Sequence, residues 1–240
     1  MPPPCRLLID PAAVGTWNMA ADDVLLDATG AGVAALRFYQ WAEPTLSLGY
    51  FQPHLAARSL PDLPWLRRAT GGDALVHHHE LTYSLALPVR GEFQPQAVAW
   101  MTRFHELIRD ALGRLGIVAH LAERGQRLGD VLCFQHHTPG DLIVAGHKVA
   151  GSAQRKQRGA LLQHGSILLR QSVHTPALPG IFELTGRDLS ADYLREAILA
   201  EFRRDTGWGL EERGFDEREC RLVEECIASR YGAVSWNEKR

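Results

Sequence analysis

The sequence predicts an α+β fold, a mixed and largely antiparallel sheet flanked by helices. Three observations carry that expectation. Apolar residues recur at helical spacing over 17–28 and 97–115, and alternate with a period of two over 81–87. Two further apolar runs face each other across Gly146 as a hairpin would. Helices are interspersed among these strands, so a regular βαβ alternation is not expected.

The elements follow in order. Residues 6–10 (RLLID) read as a short first strand. Trp17, Ala20, Ala21, Val24, Leu25 and Ala28 form the stripe of an amphipathic helix that Gly30 stops. Residues 34–42 and 44–50 read as strands split by Pro44. In HHHELTYSLALP, Leu81, Tyr83, Leu85 and Leu87 alternate with the small Thr82, Ser84 and Ala86. Ala97, Trp100, Met101, Phe104, Leu107, Ile108, Ala111 and Leu115 make a long helical stripe closed by Gly116. DLIVAGHKVAGSAQ reads as the hairpin and ALLQHGSILL as the next strand, with helices expected around 190–204 and 216–231.

With 240 residues the chain can bury a sizeable core, and no repeat or linker divides it, so one domain over 1–240 is expected. A net charge of -2 gives no global pull toward nucleic acid or anionic lipid. No apolar run approaches the roughly 18 residues of a membrane span, and MPPPCRLLID lacks the apolar core of a secretory signal. Cys5, Cys133, Cys220 and Cys226 are too scattered for a disulfide framework or a zinc site, which points to a reducing cytoplasm. Cys5 falls in an expectedly mobile terminus, and Cys220 and Cys226 lie on different faces of a helix.

Three segments carry chemistry. Arg67-Arg68-Ala69-Thr70-Gly71-Gly72 precedes a strand; paired glycines admit close backbone approach, and an arginine fork binds carboxylate or phosphate. The plainer reading is a turn with an exposed basic pair. Lys148, beside an expected Gly151-Ser152-Ala153 turn, could hold an acyl carbonyl or phosphate, or be a solvated strand residue. His164 and Gly165 sit within an apolar strand, where a buried, hydrogen-bonded histidine is the common case.

Together RRATGGDALVHHHELTYS and GHKVAGSAQRKQRGALLQHGSILL resemble the biotin/lipoate ligase superfamily, with WNMAADDVLL and RYGAVSWNEKR similar to its first helix and closing segment. The resemblance implies an acyl pocket built from Arg68, Gly71, Gly72, Ala74 and His77, with Gly151, Ser152, Ala153, His164 and Gly165 near the carbonyl. No Gly-Arg-Gly-Arg-x-Gly stretch of the biotin branch is present. Cys133, 15 residues before Lys148, resembles the nucleophile of cysteine-dependent octanoyltransferases and lipoyl amidotransferases. In these the cysteine carries the acyl group as a thioester and the lysine stabilises the thiolate. From composition alone Cys133 would be a buried apolar cysteine.

The implied donor is acyl carrier protein or an acylated lipoyl domain. The implied acceptor is a lysine of a lipoyl-domain protein such as a glycine-cleavage H-type protein. No cofactor is implied, and no metal. ATP and magnesium enter only under the alternative of a lipoate or octanoate ligase; a non-catalytic binder of acyl groups or lipoyl domains is the third reading. The C-terminal accessory domain usual in full-length ligases is not expected. Two departures stand out. Asp73 follows the Gly-Gly pair, where it would repel an acyl phosphate, and His78 replaces a usual aspartate. In the run His77-His78-His79, strand alternation would let at most His77 and His79 share a face.

Overall fold

The structure, a computed structural model, describes residues 4–30, 32–89, 97–127 and 132–240. Val131, beside the cysteine, lies outside them. Strands are β1 (Pro4–Ile9), β2 (Ala34–Tyr39), β3 (Thr45–Leu48), β4 (Trp65–Arg67), β5 (Leu75–His77), β6 (Glu80–Pro88), β7 (His120–Leu121), β8 (Gln126–Arg127), β9 (His136–His137), β10 (Leu142–Val144), β11 (His147–Gln157), β12 (Ala160–Leu168) and β13 (Gly209–Glu212). Helices are α1 (Gly15–Thr29), α2 (Ala97–Arg114), α3 (Ile181–Thr185), α4 (Ala191–Thr206), α5 (Glu217–Cys226) and α6 (Val234–Asn237). A π-helical turn, Ile227–Tyr231, extends α5.

An eight-stranded sheet runs β13-β1-β2-β6-β12-β11-β10-β7. Its centre is antiparallel, while β1 pairs in parallel with both β2 and β13. The mixed α+β class is therefore the observed one. A separate three-stranded sheet, β4-β3-β5, carries the segment before and after the Gly-Gly pair.

The alternation read in β6 sorts its two faces. Leu81, Tyr83, Leu85 and Leu87 join the main core with Trp100, Phe104 and Ile108 of α2 and Leu194, Ile198 and Phe202 of α4. Each such side chain contributes about 1.5–3 kcal/mol by leaving water. The small residues face the other way, toward α1, and this leaves room there for polar groups and a cavity. Gly116 (φ 74°) ends the α2 segment as expected. Gly30 follows α1 in right-handed geometry, so the turn of φ 111° falls to Gly32 instead.

Two expectations change. Cys5 is not in a loose terminus: it is fully buried in β1, and burial pushes its thiol up to about 12. Residues 151–153 are not a turn but continue β11, with Ser152 opposite Gly165 and Ala153 opposite His164 of β12. The chain reverses between β10 and β11 at Ala145–Gly146 and between β11 and β12 at Arg158–Gly159, all four at positive φ. No helix among the described residues is long and apolar enough to cross a membrane.

On the α1 face lies a buried ionic cluster. Arg37 donates to Asp10 (2.7 Å) and Asp22 (2.8 Å), and Asp22 also accepts from Ser84 (2.7 Å) and Tyr39 (3.2 Å). Burial would raise the Asp22 carboxyl, but His164, Arg37 and Ser84 outweigh it and hold it below 3.8. A carboxyl lowered on folding adds stability that is present above about pH 4. That stability is lost as pH falls through the folded-state value. Asp22→Asn should therefore cost about 3–5 kcal/mol at pH 7. It should also flatten the acid limb below pH 4, measured by thermal melts across pH. A variant whose acid limb parallels the native one would show that Asp22 does not supply this term.

Candidate active site

Cys133 opens a single 3₁₀ turn, Cys133–Gln135. Its N–H donates to Ala74 O at 2.9 Å, and Leu132 bridges Ala74. The thiol is half-buried. Lys148 reaches it from β11, where a register shift opposite Leu142 and Ile143 bends the strand. The lysine side chain folds back over Gly151; a Cβ there would sit 2.6 Å from Lys148 Cε, so glycine makes the space.

The ammonium is surrounded by acceptors. It lies 2.7 Å from Asp141 Oδ2, 3.2 Å from His136 O, 3.5 Å from Cys133 O and 3.7 Å from Cys133 Sγ. Both charged side chains are nearly inaccessible, at 2% and 5% exposure. Asp141 is fixed in turn by the amide (2.7 Å) and hydroxyl (2.9 Å) of Thr138. An ammonium about 4 Å from a thiolate is worth about 4 kcal/mol at an effective dielectric of 20. Asp141 opposes part of that field, so a second cation matters.

Arg68 supplies it. The guanidinium and Cys133 line one cavity of about 60 Å³. Burial lowers the Arg68 pKa, with the charges of Cys133 and Asp73 opposing that shift. Neither arginine of the pair is an exposed turn residue: Arg67 and Arg68 are both buried. Arg67 donates to Asn237 and to the carbonyls of Gly49 and Gln52, and Trp236 Nε1 donates to Arg67 O at 2.8 Å.

The cavity gathers most of the residues expected from sequence. Arg68, Gly71, Gly72, His77, Cys133, Gly151, Ser152, Ala153, His164 and Gly165 all line it. Lys148 sits beside the thiol rather than on the wall. Ala74 is a correction: it is fully buried outside the cavity and acts through its backbone, holding the cysteine turn. Sequence reasoning missed Met19, Tyr39, Leu75, Thr82, Phe134 and Ser166 on the wall, and Asp141 behind the lysine.

The expected acid beside the carbonyl position is also corrected. The Asp73 side chain lies off the cavity wall, 3.6 Å from His136 Nε2, so repulsion of an acyl phosphate no longer follows from it. Strand alternation fails for the histidine run, because β5 ends at His77. His77 stacks on Trp41 at 3.8 Å and faces the cavity, whereas His78 stacks on His79 at 3.5 Å and bonds Ser172. Among the described residues no group of three His, Cys, Asp or Glu side chains could hold a metal ion.

A cavity, a half-buried thiol and two buried cations make a candidate site for nucleophilic chemistry on a sheet of this topology. Residues 15–203 match the family described as the lipoyl protein ligase A/B catalytic domain, and the chain belongs to that family. Within it the chain falls in the octanoyltransferase branch. It is 33% identical to Octanoyltransferase LipM of Symbiobacterium thermophilum over 98% of both chains. It is 37% identical to the protein of the same name from Macrococcus caseolyticus, over 78% of this chain and 71% of that one. In fold it is similar to Ta0514 of T. acidophilum, a putative lipoate protein ligase, with a TM-score of 0.80 at 23% identity over the whole of both chains. A lipoate-protein ligase A bound with ATP superposes at 0.79 and 21% identity, covering 99% of each.

Proposed function

We propose that the protein moves an octanoyl group from a thioester donor to Cys133 Sγ, and from there to a lysine of a lipoyl-domain protein. The observation that carries this is the Cys133 thiol, 3.7 Å from a buried ammonium and open to a cavity with apolar walls. The thiolate attacks the donor carbonyl, and the carrier thiolate leaves with the electron pair of the broken C–S bond. The acceptor amine then attacks the enzyme thioester, loses a proton, and releases Cys133 as thiolate. Both steps exchange bonds of comparable energy or run downhill to an amide, so no nucleotide is consumed. Arg68 and Lys148 stabilise the thiolate before and after transfer, and Met19, Tyr39 and Leu75 offer walls for the acyl tail. Acyl carrier protein or an acylated lipoyl domain fits as donor, and a glycine-cleavage H-type protein as one acceptor.

Intact-mass spectrometry tests this directly. Mixing with octanoyl carrier protein, without ATP, should add one octanoyl group to the enzyme at Cys133. The adduct should disappear when a lipoyl domain is supplied. Modification of the domain from free octanoate and ATP, surviving in Cys133→Ala, would move the protein to the ligase class.

A further inference from the structure

The cavity histidine His77 is the middle of a buried hydrogen-bonded chain that ends on Arg68, in the wall of the cavity that Cys133 also lines. At its acidic end Glu80, 1% exposed, receives His77 Nδ1, the Thr82 hydroxyl and the Ser166 hydroxyl on one oxygen, each at 2.7 Å. His77 Nε2 lies 2.8 Å from Ser47 Oγ. Arg68 Nη1 donates to the same Oγ and to Ser47 O, both at 3.1 Å. Arg68 Nη2 donates to Gly71 O (2.9 Å) and Asp73 O (2.7 Å). The next residue, Ala74, accepts the Cys133 N–H.

With the neutral Nδ1–H tautomer of His77 the chain runs in one sense. A guanidinium can only donate and a carboxylate can only accept. Arg68 occupies a lone pair of Ser47 Oγ, which leaves the Ser47 hydroxyl proton for His77 Nε2 and the Nδ1 proton for Glu80. Cation, hydroxyl, imidazole and carboxylate then polarise one another in the same direction. A second chain of the same type, Asp22–His164–Thr70, has distances of 3.2 and 2.7 Å and ends on the Thr70 hydroxyl.

We infer that Ser47 and Glu80 are positioning residues for acyl transfer: with His77 they hold Arg68 as a second cation facing Cys133, and fix the backbone from which the cysteine turn is built. Neither touches the reacting atoms. The inference rests on Cys133 as the nucleophile, but its test needs no acyl donor.

The test is the rate of Cys133 alkylation by iodoacetamide across pH in Ser47→Ala, Glu80→Gln and the double variant, with melting temperatures measured alongside. Ser47→Ala removes one hydroxyl and keeps the fold accessible should Glu80→Gln unfold. Each single variant should slow alkylation at pH 7 about five- to tenfold and displace the profile to higher pH. The double variant should be no slower than the slower single, because both break one chain. Thr70→Val, which cuts the second chain, should leave the profile in place. An unmoved profile in Ser47→Ala, multiplied effects in the double variant, or an equal shift in Thr70→Val would each overturn the inference. If these profiles shift as stated but no octanoyl adduct forms on the native enzyme, the chain still organises the thiol and only the transfer reading fails.

Discussion

Cys133→Ala is expected to abolish octanoyl transfer, lowering the rate at least about a thousandfold, while changing stability by no more than about 1 kcal/mol. The asymmetry follows from where the thiol sits. It is half-buried on a short turn held to Ala74 through the backbone, so the proposed reaction depends on its side chain far more than the fold does. Cys5→Ala offers the converse, since Cys5 is fully buried in β1 and its loss leaves a small void away from the cavity. Transfer assays and thermal melts on the two variants should separate cleanly. Near-native turnover by Cys133→Ala would remove the thioester from the mechanism.

Lys148→Ala is expected to cost both activity and stability. From sequence alone the lysine is a charge for the thiolate, and its loss would slow alkylation near neutral pH. The structure adds Asp141, which would be left buried without its ammonium at a cost of about 3–5 kcal/mol. A double variant, Lys148→Met with Asp141→Leu, separates the two effects. Replacing a buried ion pair by apolar side chains of similar volume is often near neutral, so the double variant should regain most of the lost stability. It should remain slow in alkylation, because no ammonium returns to Cys133. Recovery of the alkylation rate in the double variant would show that Lys148 acts only by holding the fold.

What was legible in the sequence divides along a physical line. Periodicity found β6, α2 and the β11–β12 pair because one face of each is apolar, and that face is written locally. The paired glycines at 71 and 72 pointed to the cavity because close approach needs a missing Cβ. The motif resemblance brought in Cys133 and Lys148. The missing members are those whose partners are remote in the chain. Asp22 meets His164 across 142 residues and Ser47 meets His77 across 30, and nothing in the local pattern of either acid or hydroxyl announces its partner. The Gly-Ser-Ala segment was misplaced for the opposite reason. Small residues usually mark turns, but here they lie in a strand where Gly151 makes the space that the Lys148 side chain fills.

The contact between Arg67 and residues 236–237 bears on the order in which the protein assembles. Arg67 leads into the Gly-Gly loop, yet its amide, side chain and carbonyl are bonded by residues about 170 positions later. During synthesis the central strands emerge and can pair long before those residues leave the ribosome. The loop that frames the thiol therefore gains these anchors only once residues 236–237 are free of the ribosome, and a nascent chain carries its cysteine before it carries a finished site.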